Sequence, residues 1–429
     1  MGEQFDRIAK LDAAYTLQTY GRKPVLFTRG EGIRLWDDEG REYLDFVAGI
    51  GAVNLGHAHP AVADAVDAQM RRLVQVSNLY YSEHRAELAR RLAGLLGGGY
   101  RAFLCNSGAE AAEGAIKVAR AWGKANKGPG ATVIITANRS FHGRTLGALA
   151  ATGQPGKKEK FEPLPPGFVH VDFGDLETLS AIVSRTVCAV MLEPVQGEGG
   201  VYPAPDGYLA AVEKLCRERG VLLILDEVQS GLWRTGPAFA HQADGVRPDI
   251  VMVAKALANG LPAGAILIDD EVAPVMEPGD HGSTFGGGPV IAAAALATLE
   301  ALEGIGSGSR VADAGEYLRE GLRSLASAHP GLVADVRGRG LMSAVEFSAP
   351  IAGLVADLGL ASGVVLNAIG THILRFLPPL VCTSSDIDVV LGVLDAALSG
   401  AAVVAALESA PSAAPAVETN APSDDGRAS

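Results

Sequence analysis

The sequence predicts an α/β protein with one large domain, whose mostly parallel sheet is sandwiched by helices, and a smaller α+β domain built from both ends of the chain. Three observations carry this. From about Pro60 to Glu300, helical segments alternate with the short apolar runs RAFLCN, ATVIITA, TVCAVMLE, VLLILDE, PDIVMVAK and AGAILI, the pattern of parallel strands buried between helices. The first fifty residues instead carry short, turn-rich strands, and after residue 305 a mixture of helix and strand returns. With 429 residues, 48% of them hydrophobic, the chain can bury one large core and a smaller one.

Taken in order, GIRLWDDEGREYLDF places Asp38-Glu39-Gly40 at a hairpin turn between two apolar–polar alternations. Residues 1–55 are therefore assigned to the small domain and 56–305 to the large one. ADAGEYLREGLRSLA then reads as a helix, and VADVRGRGLMSAVEF and HILRFLPPL as strands, so residues 306–400 return to the small domain. Residues 401–429 are expected to be a disordered tail, because their end, ESAPSAAPAVETNAPSDDGRAS, is rich in Pro, Ser and Ala and lacks apolar periodicity.

A net charge of −13 and a pI near 5.2 exclude the clustered Lys and Arg of a nucleic-acid footprint, leaving small-molecule chemistry. Cys105, Cys188, Cys216 and Cys382 are scattered with no CxxC pair, which predicts buried thiols rather than disulfides or a metal site. The N-terminal MGEQFDRIAK has no apolar h-region, and no uninterrupted apolar run reaches the ~18 residues of a membrane span. A cytoplasmic location without membrane partners is expected.

The run VLLILDEVQSG, Val221 to Gly231, ends in two adjacent carboxylates, Asp226 and Glu227. A carboxylate at the carboxyl end of a buried strand is either a turn residue or a charged partner for a ligand. Two neighbouring runs also end in charge, Glu193 after CAVML and Lys255 after IVMVA, on the same edge of one sheet. Lys255 is either a surface lysine or an amine whose pKa is lowered by burial, able to bond carbonyl compounds. In FLCNSGAEAAEGAIKVAR, Ser107-Gly108-Ala109-Glu110 has the capping-box pattern that opens a helix, here to about Trp122, and a helix start can bind phosphate. Phe141 and Arg144 in FHGRT are either core and surface residues or an aromatic plate and a cation. Together the carboxylate, lysine, phosphate-ready helix start and plate suit pyridoxal phosphate, with Asp226 holding the pyridine nitrogen protonated.

The strings SNLYY, CNSGAEAAEGAIKVAR, FHGRTLGALAATGQP, EPVQGEGGV, LILDEVQSGLWRTG, AKALANGLPAGA, HGSTFGG and LRFLPPL, in this order from about Tyr20 to residue 395, resemble a class III aminotransferase of fold type I, nearest its acetylornithine branch. The resemblance implies that Lys255 attaches pyridoxal phosphate and shuttles a proton, and that Asp226 pairs with the pyridinium. It puts Val228 and Phe141 on the two ring faces, Gln229 at the ring hydroxyl, and Ser107, Gly108 and Ala109 at the phosphate. Thr284 resembles the threonine that reaches the cofactor of the partner subunit, implying a homodimer with shared sites. Arg144 resembles a carboxylate clamp, for which a planar guanidinium is suited. Arg375 resembles the second clamp and Glu198 the acid that masks it. Tyr20, Asn78 and Ser283 complete the implied substrate contacts, and no metal is implied.

The implied reaction moves the terminal amino group of N-acetylornithine, or a close ω-amino acid, to 2-oxoglutarate in arginine biosynthesis. Ornithine, succinylated and lysine-derived donors are the alternatives. A rival of another catalytic class is an aminomutase, which would need neither 2-oxoglutarate nor the Glu198 and Arg375 pair, and a third is a non-catalytic cofactor-binding relative. The chain has GLWRTG, KALANG and GGGP where the family commonly has GMGRTG, KALGGG and GGNP, departures at Trp233, Asn259 and Gly288 that bear on pocket shape.

Overall fold

A computed structural model describes residues 2–409. The chain opens with a helix, Glu3–Tyr15, followed by an antiparallel meander of β1 (Phe27–Glu31), β2 (Arg34–Asp37) and β3 (Glu42–Asp45). Its second turn passes through Gly40 at φ +81°, where the Asp37 carboxylate accepts the N–H groups of Glu39 and Arg41.

A seven-stranded sheet follows. Its strands are β4 (Tyr100–Cys105), β5 (Val133–Ala137), β6 (Phe168–Val171), β7 (Val187–Leu192), β10 (Leu222–Asp226), β11 (Ile250–Val253) and β12 (Gly264–Asp269), in the order β4-β12-β11-β10-β7-β5-β6. The hairpin of β8 (Val195–Gln196) and β9 (Tyr202–Pro203) lies between β7 and β10 in the chain. Alternate residues explain why β10 is wholly apolar. Leu222 and Ile224 pack with Ala111, Ala115, Ile116 and Ala119 of the helix Gly108–Lys127. Leu223 and Leu225 pack with Leu209, Val212 and Leu215 of the helix Tyr208–Arg219 on the other face. Both faces are dry, so the period-2 alternation of a half-exposed strand is lost.

Two expectations need correction here. AGAILI, read as one more parallel strand, is β12 and runs antiparallel to both neighbours. Only residues 254–263 join it to β11, too few for the crossover that parallel pairing needs. The seventh strand, the edge segment FVHV, was not anticipated, because its half-exposed pattern breaks the apolar run.

The remaining strands are β13 (Val333–Arg339), β14 (Met342–Phe347), β15 (Val364–Val365), β16 (Asn367–Ile369) and β17 (Ile373–Phe376). Four of them form an antiparallel sheet in the order β13-β14-β17-β16. β15 instead pairs in parallel with β3, so the last third of the chain completes the first sheet. The first part of the tail expected from residue 401 is instead a helix, Ala401–Ser409, with Val403 fully buried in the same core as Leu394 and Leu398. The rest of that tail lies outside the described residues. No single helix among the described residues is long and apolar enough to cross a membrane.

Candidate active site

Strands β7, β10 and β11 are neighbours in the large sheet, so Glu193, Asp226 and Lys255 emerge side by side at one edge. They line a cavity of ≈270 Å³, together with Gly108, Ala109, Phe141, Arg144, Glu198, Val228 and Gln229. Three further residues, His142, Gly143 and Val195, line it without an assigned role from sequence. Arg375 lines an adjoining cavity of ≈620 Å³, which shares Glu198 with the first.

Asp226 is 5% exposed. Its Oδ1 accepts the Val228 N–H at 3.1 Å, and its Oδ2 lies 2.8 Å from His142 Nδ1. An ionised carboxylate only accepts, so Nδ1 carries the proton. Burial alone would lower the His142 pKa, but the hydrogen bond and charge of Asp226 outweigh it and raise it. Glu193, also buried, accepts the N–H of Phe141 at 2.9 Å and of Gly197 at 3.2 Å, tying the aromatic plate to the loop that carries Glu198. Burial pushes its pKa up to about 7.

Lys255 begins a 3-10 turn directly after β11 and has φ +42°, a left-handed conformation that costs a non-glycine residue about 1–3 kcal/mol and gathers at functional sites. Burial lowers its pKa, opposed by the charges of Glu198 and Asp226. Arg375, on β17, is almost fully buried. Its Nη1 donates to Glu198 Oε1 at 2.5 Å and to Gln229 Oε1 at 3.2 Å, while Nε and Nη2 both donate to Asn367 Oδ1 at 3.0 and 2.7 Å. Burial would raise the Glu198 pKa, yet the Arg375 charge and hydrogen bond bring it below the usual carboxylate value. Gln229 Nε2 also donates to Glu198 at 3.4 Å, so its amide joins the masked pair.

At the helix start, Ser107 Oγ accepts the Glu110 N–H at 3.2 Å. The expected box is only half formed, because the Glu110 carboxylate reaches one residue further back, to the N–H and side-chain amide of Asn106 at 2.8 and 2.9 Å. The helix also continues beyond Trp122 to Lys127, stopping at Gly128 with φ +106°. Asn78, Ser283 and Thr284 form a group outside both cavities. Asn78 Nδ2 donates to the Ser283 carbonyl and Gln75 Nε2 to that of Thr284, each at 2.8 Å. Tyr20 is exposed and lines neither cavity. The departures at Trp233 and Asn259 also lie outside the lining. Trp233 belongs to the core. Asn259, at φ +45°, holds Leu55 N and Gly56 O at 2.9 Å each, and asparagine tolerates this backbone where a glycine would otherwise serve. Gly288 caps the helix Pro289–Gly304.

The lining suits pyridoxal phosphate on several counts. The first turn of a twenty-residue helix meets the cavity at Gly108 and Ala109, where a phosphate gains from free N–H groups and the helix dipole. A Cβ on Gly108 would come within 2.9 Å of Val228 Cγ1, so only glycine keeps that wall open. A buried carboxylate, a partly buried amine and an aromatic ring face the same space, and the buried His142 Nε2 has no hydrogen-bond partner.

The family model for aminotransferase class-III matches residues 16–398. The acetylornithine aminotransferase of Thermosynechococcus vestitus is 47% identical over 392 residues, covering 89% of this chain and 95% of that protein. The crystal structure of ornithine aminotransferase from Toxoplasma gondii superposes with a TM-score of 0.88 at 34% identity, over 92% of this chain and 94% of that one. N-acetylornithine aminotransferase from Stenotrophomonas maltophilia does so at 0.79 and 38% identity, over 92% and 99%. The chain therefore belongs to the class-III aminotransferases, enzymes that use pyridoxal phosphate to pass an amino group from a donor to a keto acid.

Proposed function

We propose that this enzyme transfers the terminal amino group of N-acetylornithine to 2-oxoglutarate, and that two copies form the working unit. The observation that carries this reading is the masked arginine: Arg375, paired with Glu198 beside Lys255, while Arg144 makes no ion pair among the described residues. Such a site has one carboxylate receptor always open and a second that opens only for a substrate with two carboxylates. The acetylornithine aminotransferases among the relatives support the choice of donor.

In this reading Gly108, Ala109 and Ser107 hold the cofactor phosphate, and Phe141 and Val228 enclose its ring. When bound, pyridoxal phosphate supplies the ring that accepts electrons released at the substrate carbon. Lys255 holds the cofactor through Nζ and then carries a proton to and from that carbon, its lowered pKa making the neutral amine available. Asp226, oriented by His142, keeps a proton at the ring nitrogen. Leu79, Tyr80, Tyr81 and Phe285 stand exposed beside Asn78, Ser283 and Thr284, an apolar surface of the kind that a second copy covers. That copy would carry its own Thr284 to the neighbouring site.

Steady-state rates of the holoenzyme with a panel of amino donors and 2-oxoglutarate test the reading. N-acetylornithine is expected to give the highest kcat/KM, Lys255→Ala to abolish turnover, and Asp226→Ala to lower it on the order of a thousandfold. Turnover of Lys255→Ala near the wild-type rate would end the assignment. A second reading, with free ornithine as donor, draws on the likeness to the Toxoplasma gondii ornithine aminotransferase, and the same panel decides it.

A further inference from the structure

The two cavities, which meet at Glu198, are lined by more positive charge than the proposed chemistry uses. Arg144 Cζ lies 5.5 Å from the Phe141 ring centroid, and a second cation, Lys157 Nζ, lies 5.1 Å from it. Lys157 is half-buried in the 3-10 turn Pro155–Lys157 and lines the larger cavity with Glu198 and Arg375. Its ammonium donates to Gln154 Oε1. Burial lowers its pKa, with the charges of Arg144 and Arg375 acting in the same direction and those of Glu198 and Glu193 opposing them.

Every carboxylate lining these cavities is already engaged. Glu193 accepts two backbone N–H groups, Asp226 holds His142, Glu198 holds Arg375, and Glu346 holds Arg337. Arg144 and Lys157 have no ion-pair partner among the described residues. At Phe141 the site thus offers two cations and no uncommitted acid, while Arg139, also in the lining of the larger cavity, lies over the Tyr202 ring instead, its Cζ 4.6 Å from the centroid.

We propose that Lys157 is a specificity-determining residue that selects donors whose distal α-nitrogen is acylated, by repelling a free α-ammonium. This rests on the transaminase reading above. In a donor anchored at Arg144 through its carboxylate, the α-nitrogen sits one carbon away, within reach of the second cation over the same ring. A free ω-diamino acid brings an ammonium there, whereas acylation turns that nitrogen into a neutral amide. Two like charges roughly 7 Å apart at an effective dielectric near 20 change affinity by on the order of fifty-fold, and screening at an open site brings this to about tenfold. Selection by a misplaced charge works through rejection of the wrong substrate rather than tighter binding of the right one.

The test compares kcat/KM of the holoenzyme for N-acetylornithine, free ornithine and 5-aminopentanoate, which lacks the α-nitrogen, in wild type, Lys157→Met and Lys157→Arg. Lys157→Met is expected to raise free ornithine about tenfold relative to 5-aminopentanoate while leaving N-acetylornithine in its wild-type ratio to 5-aminopentanoate. Lys157→Arg, which keeps the charge, is expected to keep the wild-type discrimination. The charge mechanism is overturned if ornithine gains nothing in Lys157→Met, or if the loss falls on N-acetylornithine alone, since Lys157 would then be a hydrogen-bond donor to the acyl group. If wild type itself prefers free ornithine, the proposed donor fails along with the inference. If wild type prefers the acylated donor and the ratios are unmoved in Lys157→Met, the inference fails by itself.

Discussion

His142 and Asp226 lie 84 residues apart in sequence and 2.8 Å apart in space, and the pair shows what one buried side chain does for another. Replacing the imidazole in His142→Ala leaves the Asp226 carboxylate with a single remaining partner, the Val228 N–H. A buried group stripped of its hydrogen bond costs about 1–3 kcal/mol, and that loss is expected in denaturant unfolding of the apoprotein. The sign of its pH dependence follows from the raised pKa of His142. A pKa raised on folding gives stability that is full below the unfolded value, about 6.5, and is lost as pH rises through the folded value. The gap between wild type and His142→Ala should therefore narrow on the alkaline side; a gap that widens there would mean that His142 is held neutral. The sequence offered little warning of this pair. FHGRT displayed His142 between two residues with obvious uses, but a single histidine has no periodicity that names its partner, and long-range pairing is fixed only by the order of strands.

The helix Gly108–Lys127 brings its first turn to the site only because its far end lies flat on the sheet. Gly123 makes that possible: a Cβ there would sit 2.2 Å from the Ala131 carbonyl oxygen and 2.5 Å from Cys188 Cβ. Gly123→Ala would gain about 1 kcal/mol of helix propensity yet force a backbone shift in a packed core, where overpacking costs about 1–3 kcal/mol. Net destabilisation in a denaturation curve is expected, and a stabilised variant would show that the contact is loose. Elements of this kind were legible in proportion to their burial. The strands β7, β10 and β11 announce themselves as apolar runs because both faces are covered. Composition carries no direction, so β12 could be found but not oriented until the short connection 254–263 was read as a constraint. The same limit applied to the end of the chain, where Ala401–Ser409 has too little polar contrast to stand apart from the low-complexity residues after it.

Across the whole molecule, the site is assembled where two sheets meet, and under the proposed function this is what would let one pocket serve two dissimilar substrates. Arg375 and Asn367 come from the antiparallel sheet of β13, β14, β17 and β16, whereas Glu198 and Gln229 follow strands β8 and β10. The proposed donor presents one carboxylate far from its reacting amine, which Arg144 alone would hold. Glutamate, the amino acid formed in the proposed reaction, adds a carboxylate beside its reacting carbon and would need Arg375 uncovered. Glu198 pairs with Arg375, and on the proposed function it would hide that charge until a competing carboxylate displaced it, a switched pair that serves specificity more than affinity. The lowered pKa of Glu198 keeps the mask charged at neutral pH, and the pair is lost only as pH falls below the ordinary glutamate range. Glu198→Ala is thus expected to slow the terminal-amine half-reaction, because Arg375 then invites the donor's α-end to bind backwards, and to spare or speed the glutamate half-reaction. Arg375→Ala is expected to do the reverse. Glu198→Gln, which removes the charge but keeps the shape, separates this effect from any loss of packing around a buried guanidinium. Single-turnover absorbance changes of the bound cofactor with each substrate measure the halves independently. Equal losses in both halves for all three variants would leave Glu198 a structural acid, with the alternation of substrates resting on Arg144 alone.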